Sequence, residues 1–294
     1  MTKPCTKGVI LAGGKGTRLY PMTRVTNKHL LPIAGKPMVY YPLTTLMLAG
    51  VRSVLIVTNA EHVTQFQLLL GDGSQLGMSI EYAVQDEPRG LAHGLIVAAD
   101  FIQNDPVALI LGDNLFHGTG WSEVVLDAAM TVREATVFAY AVSDPRAYGV
   151  VVVDAAGKPT DLQEKPANPR SHYAVPGLYF YGPGAVERAR SLKPSARNEI
   201  EITDLNRIFL QRGTLEVRVI RRGVAWFDAG TPAALLHTSS YIDAIESRQG
   251  VGVACPEEVA YRMKFIDRTQ LDRLIAAVSD SPYGAFLRNI LEPT

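Results

Sequence analysis

GVILAGGKGTRLYP, residues 8–21, carries the reading of this chain. An apolar run ending at Leu11 has the length and content of a buried strand. It is followed at once by Gly13, Gly14 and Gly16, with Lys15 and Arg18 between and after them. Glycines let a backbone turn sharply and let a ligand approach its N–H groups, and arginine adds a fork of donors for phosphate oxygens. A phosphate-binding loop and a tight turn needing positive φ both satisfy these residues. Two familiar phosphate motifs do not. The dinucleotide fingerprint needs a third spaced glycine where this chain has Leu19, and the P-loop needs Ser or Thr where Gly16 follows Lys15.

Outward from this loop, strands and helices alternate. The spacing predicts a helix over Met38–Ala49, with Pro42 forcing a kink or a late start. Strands are predicted over Ser53–Thr58, Ile80–Gln85 and Val107–Leu111, with helices over Glu61–Leu70 and Gly90–Phe101 between them. That rhythm predicts a Rossmann-like α/β fold, a mostly parallel mixed sheet flanked by helices. Later the rhythm changes. Thr136–Val142 reads as a strand, Gly149–Val153 and Thr160–Glu164 as a hairpin, and Leu178–Tyr181 and Leu215–Ile220 as further strands, with helices near 184–192 and 201–211. From about Thr231 the chain is expected to be helical, with Leu271, Leu274, Ile275 and Val278 as a packing stripe. The expected organisation is an α/β domain over 1–230 and a helical C-terminal extension over 231–294, for packing and oligomer contacts.

The 294 residues carry 29 basic and 29 acidic side chains. A neutral chain without a basic run gives no footprint for nucleic acid or an anionic membrane. Cys5 and Cys255 are too isolated for a disulfide framework or a zinc site, and no stretch reaches the length of a membrane span. Free thiols and a cytoplasmic location are expected. None of the six histidines falls into a zinc or catalytic motif.

Asp113 ends the strand VALIL after Gly112, at an edge where open α/β sheets bind ligands. Its carboxylate suits Mg²⁺, and an Asp-Asn pair after a strand also suits a turn or helix cap. Asp228 likewise reads as the N-cap of a helix starting near Thr231. Single lysines such as Lys28 and Lys165 are ordinarily solvated surface. Pro166 directs Lys165 towards extended chain. Gln85, whose amide both donates and accepts, suits the edge of a pyrimidine ring.

LAGGKGTRLYPMT, followed by NKHLLP at 27–32 and GKPM at 35–38, resembles the signature of sugar-1-phosphate nucleotidyltransferases, and more closely that of glucose-1-phosphate thymidylyltransferases. The resemblance continues through YYPLTTLMLAG, LLGDGSQLG, LILGDNLF, EKP, GLYFYG, EIEITDLN, WFDAGT and RQG, spanning nearly the whole chain. It implies transfer of a thymidylyl group from dTTP to glucose 1-phosphate, giving dTDP-glucose and pyrophosphate, at the head of dTDP-deoxysugar synthesis. It implies Mg²⁺ held by Asp113 and Asp228, and catalytic roles for Arg18, Lys28 and Lys165. Nucleotide contacts carry over to Leu11, Gly13, Gly14, Gly16, Thr17, Arg18, Lys28, Gln85, Gly90 and Asp113. Sugar-phosphate contacts carry over to Asn114, Tyr148, Gly149, Glu164, Lys165, Val175 and Glu199, although packing alone accounts for Tyr148 or Val175 taken singly. A homotetramer inhibited by a downstream dTDP-sugar at a subunit interface is implied too.

This chain departs from the pattern at three places. His29 stands where glutamine is common, and it brings a group able to titrate. Arg89 and His93 stand where an acid and a glutamine are common. These changes flank the nucleotide site and bear on the choice of dTTP or UTP. Uridylyl transfer on the same scaffold and a nucleotide-sugar sensor without turnover are the alternatives. A nicotinamide oxidoreductase is disfavoured by the incomplete fingerprint.

Overall fold

The computed structural model describes residues 3–290. Its strands are β1 (Lys7–Leu11), β2 (Pro32–Ile33), β3 (Lys36–Pro37), β4 (Ser53–Thr58), β5 (Ser79–Val84), β6 (Val107–Leu111), β7 (Asn114–Gly118), β8 (Ala135–Ala141), β9 (Gly149–Val153), β10 (Pro159–Glu164), β11 (Tyr173–Val175), β12 (Leu178–Tyr181), β13 (Leu215–Val219) and β14 (Val224–Asp228). One half of the main sheet is parallel, in the order β5-β4-β1-β6. The other half continues from β6 through β12, β8, β11, β9 and β10, all antiparallel to their neighbours, with β13 alongside β8 in parallel. The mixed sheet flanked by helices matches the expected fold class.

Helices cover both faces, which explains why the central strands are apolar without interruption. In β1, Val9 packs into the cluster with Leu55, Val57, Leu95 and Leu205, while Ile10 packs on the other face with Leu43, Leu46, Val54 and Phe66. β6 divides in the same way, Leu109 to one side and Ile110 to the other.

The helices are α1 (Tyr40–Leu48), α2 (Val63–Leu70), α3 (Leu91–Val97), α4 (Ala99–Ile102), α5 (Trp121–Thr131), α6 (Ala185–Arg190), α7 (Ile202–Gln211), α8 (Pro232–Gln249), α9 (Pro256–Arg262), α10 (Arg268–Ala277) and α11 (Pro282–Asn289). α1 takes the late start, which leaves Pro42 in its first turn, where a backbone N–H has no intrahelical partner to lose. The helix predicted over Gly90–Phe101 is broken at Ala98 into α3 and α4. The first turn predicted from Glu61 is a 3-10 turn, Ala60–His62, ahead of α2. From α8 onwards the chain is helical, and Leu271 and Ile275 of the predicted stripe pack with Cys255 and Leu287. Cys5 and Cys255 are buried free thiols.

Two features prepare the site. The chain runs outward from β1 to β4 and β5, then crosses back to β6, so the order reverses between β1 and β6. Open α/β sheets bind ligands at the carboxyl ends of strands at such a point. The glycine loop follows β1 there and Asp113 follows β6. β7 and β14, whose sequences carry no periodic strand signal, form a separate antiparallel ribbon whose register sets Asp228 opposite Asn114.

Candidate active site

Above the β1–β6 switch lies a cleft of about 340 Å³. It is lined by Leu11, Gly13, Arg18, Lys28, Gln85, Gly90, Asp113, Asn114, Tyr148, Gly149, Glu164, Lys165, Val175, Glu199 and Asp228 among the expected site residues. Gly14, Gly16 and Thr17 are not in its lining. Gly14 and Gly16 take φ of +96° and +58°, as a sharp turn requires. The Gly14 N–H already donates to Asn59 Oδ1 at 3.0 Å, so that donor is engaged within the fold. Thr23 Oγ1 donates to Gly16 O at 2.7 Å and fixes the far side of the loop.

The two aspartates come together through backbone pairing. Ala229 N–H donates to Asp113 O at 2.9 Å, directly after Asp228 leaves β14. A methyl group built on Gly230 would lie 2.9 Å from Asp228 Oδ1, 3.3 Å from Asp113 Oδ2 and 2.8 Å from Arg18 Nη2. Only a glycine leaves this space clear, so two carboxylates and a guanidinium converge on it.

Asp228 is not the N-cap of the following helix: Thr231 is, its side chain accepting from Ala234 N–H. Asp228 instead accepts from Gly230 N–H at 3.0 Å.

The pKa values of the two acids move in opposite directions. Burial works against the Asp113 carboxylate, but Lys28 Nζ at 2.5 Å and the Asn114 amide outweigh it and hold its pKa well below the usual range. Asp228 is pushed up, first by burial and then by the negative charge of Asp113. The repulsion that raises Asp228 would be relieved by a further positive charge between the two carboxylates. Among the described residues no cluster of three or more His, Cys, Asp or Glu side chains could hold a metal. A pair of hard oxygen donors fits a divalent cation that completes its shell with phosphate and water.

Asn114 is held by two donors, Gly177 N–H at 2.9 Å and Trp226 Nε1 at 2.7 Å, both into its Oδ1. Trp226 in turn stacks edge-on against Tyr148, with ring centroids 5.0 Å apart. Glu164 accepts from Thr203 Oγ1 at 2.5 Å and from Arg197 at 3.0 Å. Lys165 is exposed and takes φ +41°, not the extended conformation expected before Pro166. β10 ends at Glu164, and the turned-out Lys165 donates its N–H to Tyr148 O at 3.1 Å.

Arg197 is a site residue that sequence reasoning missed. It bridges Glu164, Glu199 and Glu201 at 3.0, 3.5 and 2.8 Å. A lone arginine in a polar loop carries no local signal of that role. Trp226 on β14 and Thr203 on α7 also line the cleft, and neither side chain signals this in its local sequence.

His29 is fully buried, its Nδ1 donating to Asn27 Oδ1 at 2.7 Å. Burial, reinforced by Lys28, lowers its pKa to about 3. Burial thus favours the neutral imidazole near pH 7.

The chain is similar to known proteins over nearly its whole length. Residues 7–244 match the family model described as Nucleotidyl transferase. The chain is 50% identical over 281 residues to a glucose-1-phosphate thymidylyltransferase of Xanthomonas campestris, covering 96% of this chain and 95% of that one. It is 50% identical over 286 residues to the enzyme of that name from Mycolicibacterium smegmatis, covering 97% and 99%. A solved structure from Bacillus anthracis, assigned the same activity and holding sucrose, superposes with a TM-score of 0.74 at 39% identity, covering 81% of this chain and 95% of its own. The chain belongs to the nucleotidyl transferase family.

Proposed function

We propose that this nucleotidyltransferase moves a thymidylyl group from dTTP to glucose 1-phosphate in a Mg²⁺-dependent reaction, releasing pyrophosphate and opening a dTDP-deoxysugar pathway. The observation that carries the reading is the convergence of Asp113, Asp228 and Arg18 on the space beside Gly230, with Lys28 closed onto Asp113.

The reaction asks for little acid–base work. A sugar-phosphate oxygen is already anionic and attacks the α-phosphorus directly. A P–O bond forms there as the bond to the pyrophosphate oxygen breaks, and no covalent enzyme adduct is formed. The barrier is repulsion between two phosphate groups and the charge gathering on the leaving group. Preorganised cations lower both. Arg18 and Lys28 lie on the glycine-loop side of the cleft and act on the triphosphate. Lys165, exposed at the end of β10, positions the incoming phosphate. Glu164, fixed by Thr203 and Arg197, accepts from sugar hydroxyls. Mg²⁺ held by Asp113 and Asp228 would supply charge neutralisation at the phosphates.

Gln85 and Gly90 face the base. Thymine and uracil share the ring N–H that an amide oxygen recognises, so the proposal includes UTP as a slower substrate. As part of the same proposal, the protein works in the cytoplasm as a homotetramer, inhibited by a downstream dTDP-sugar at a subunit interface. Exposed apolar side chains on α5 and α8, Leu126, Met130 and Leu236, are suited to such contacts. No helix among the described residues is long and apolar enough to cross a membrane.

The test is pyrophosphate release from glucose 1-phosphate with dTTP, UTP, CTP, ATP and GTP in turn, with Mg²⁺ and with EDTA. Metal-dependent release led by dTTP is expected. Binding of dTDP-glucose without any release would make the protein a sensor instead.

A further inference from the structure

Gln85 sits just beyond β5, its N–H bonded to Thr58 O at 2.8 Å, so its backbone is fixed by the sheet. Its side chain has a second anchor. Gln85 Nε2 lies 2.9 Å from His93 Nδ1 on α3. An amide nitrogen can only donate, so the imidazole nitrogen accepts and the ring proton sits on Nε2. With Nε2 held on the His93 side, Gln85 Oε1 faces Gly13, 3.2 Å from where a methyl group on that glycine would be. Gln85 and Gly13 line the cleft; His93 does not.

We propose that His93 is a positioning residue that locks the Gln85 amide with its oxygen towards the base, and so selects a pyrimidine carrying a ring N–H over one carrying a bare ring nitrogen. An unanchored glutamine turns its amide over and meets either edge equally well. With the ring proton on Nε2, Nδ1 can only accept from the Gln85 amide, so the choice is made before the nucleotide arrives. Thymine and uracil offer N3–H to the fixed oxygen, whereas cytosine presents a lone pair there. His93 is half-buried, and burial together with the nearby Arg89 lowers its pKa, which favours the neutral ring.

The inference rests on the thymidylyl-transfer reading and is tested with dUTP and dCTP, which differ only at the base edge. The ratio of their kcat/KM values is measured for the wild type, His93→Leu and His93→Asn, beside the thermal midpoint of each. In His93→Leu the ratio is expected to fall by about tenfold or more, mainly through the KM for dUTP, with dCTP little changed or improved. His93→Asn keeps an acceptor near the Nδ1 position and is expected to retain most of the ratio. If His93→Leu does not fold, His93→Ala takes its place. An unchanged ratio in a folded Leu or Ala variant overturns the proposal, as does an equal loss of kcat for both nucleotides. A wild type that releases no pyrophosphate from any nucleotide would instead overturn the reading on which it rests.

Discussion

Lys28 Nζ stands 2.5 Å from Asp113 Oδ2, so a loop that leaves β1 is clasped to the end of β6 by one ion pair. Both partners are largely removed from water, and breaking such a pair strands a buried charge. Lys28→Met is expected to lower unfolding stability by about 3 kcal/mol in EDTA. Adding Asp113→Asn should recover much of that loss, because the stranded charge is then gone. Denaturant unfolding of both single variants and the double variant measures this; simply additive losses would show that the pair does not couple.

Arg18 is exposed and makes no ion pair among the described residues, so the fold does not depend on it. Its Nη2 nevertheless reaches the Gly230 space. Arg18→Ala should lower kcat/KM by about 100-fold or more while shifting stability by less than about 0.5 kcal/mol. Turnover lost only in proportion to unfolded protein would argue against a direct role.

Gly230→Ala tests the carboxylate cradle. The added methyl group would meet Asp228 Oδ1 at 2.9 Å and crowd Asp113 Oδ2 at 3.3 Å. The variant should fold, because the arginine tip that it also meets can swing aside. Its Mg²⁺ requirement for half-maximal rate should rise by at least about tenfold. An unchanged Mg²⁺ titration would place the metal elsewhere.

His29 gives a signature in acid. Its folded pKa is lowered to about 3, below that of the unfolded chain. The unfolded state takes up a proton that the folded state refuses, so the contribution is fully present above about pH 6.5 and is lost as pH falls towards 3. The slope is about 1.4 kcal/mol per pH unit for this one group. His29→Gln, which cannot titrate, should flatten the fall in stability between pH 6 and 4 by that amount. Parallel profiles for the two proteins would contradict the assignment.

The contrast between β4 and β7 shows what the sequence disclosed. Ser53–Thr58 and Val107–Leu111 were legible to the residue because strands covered on both faces must be apolar throughout. Asn114–Gly118 and Val224–Asp228 were not, since a short two-stranded ribbon containing Asn, His, Gly and Asp has no periodic signal. Yet that ribbon brings Asp228 to Asp113. The glycine loop announced itself locally, whereas Arg197, with Glu199 and Glu201 beside it in sequence, meets Glu164 only when the chain returns after β12. Sidedness and burial are written in neighbouring residues; convergence of distant strands is not.

Gly90, at φ +98°, lies so close to Ile200 that a methyl group there would be 2.5 Å from its carbonyl oxygen. Backbone bonds run from Ile200 N–H to Arg89 O and from Ala92 N–H to Ile200 O, at 2.7 and 3.1 Å. Both segments line the cleft, and in the proposed function Gly90 borders the base and Glu199 the sugar. They are laced edge to edge, like two panels sharing one seam. An insertion between Arg89 and Leu91 would carry Glu199 with it, so the taste for a base and the grip on a sugar cannot drift apart freely. A redesign of either pocket has to treat the other as part of the same part.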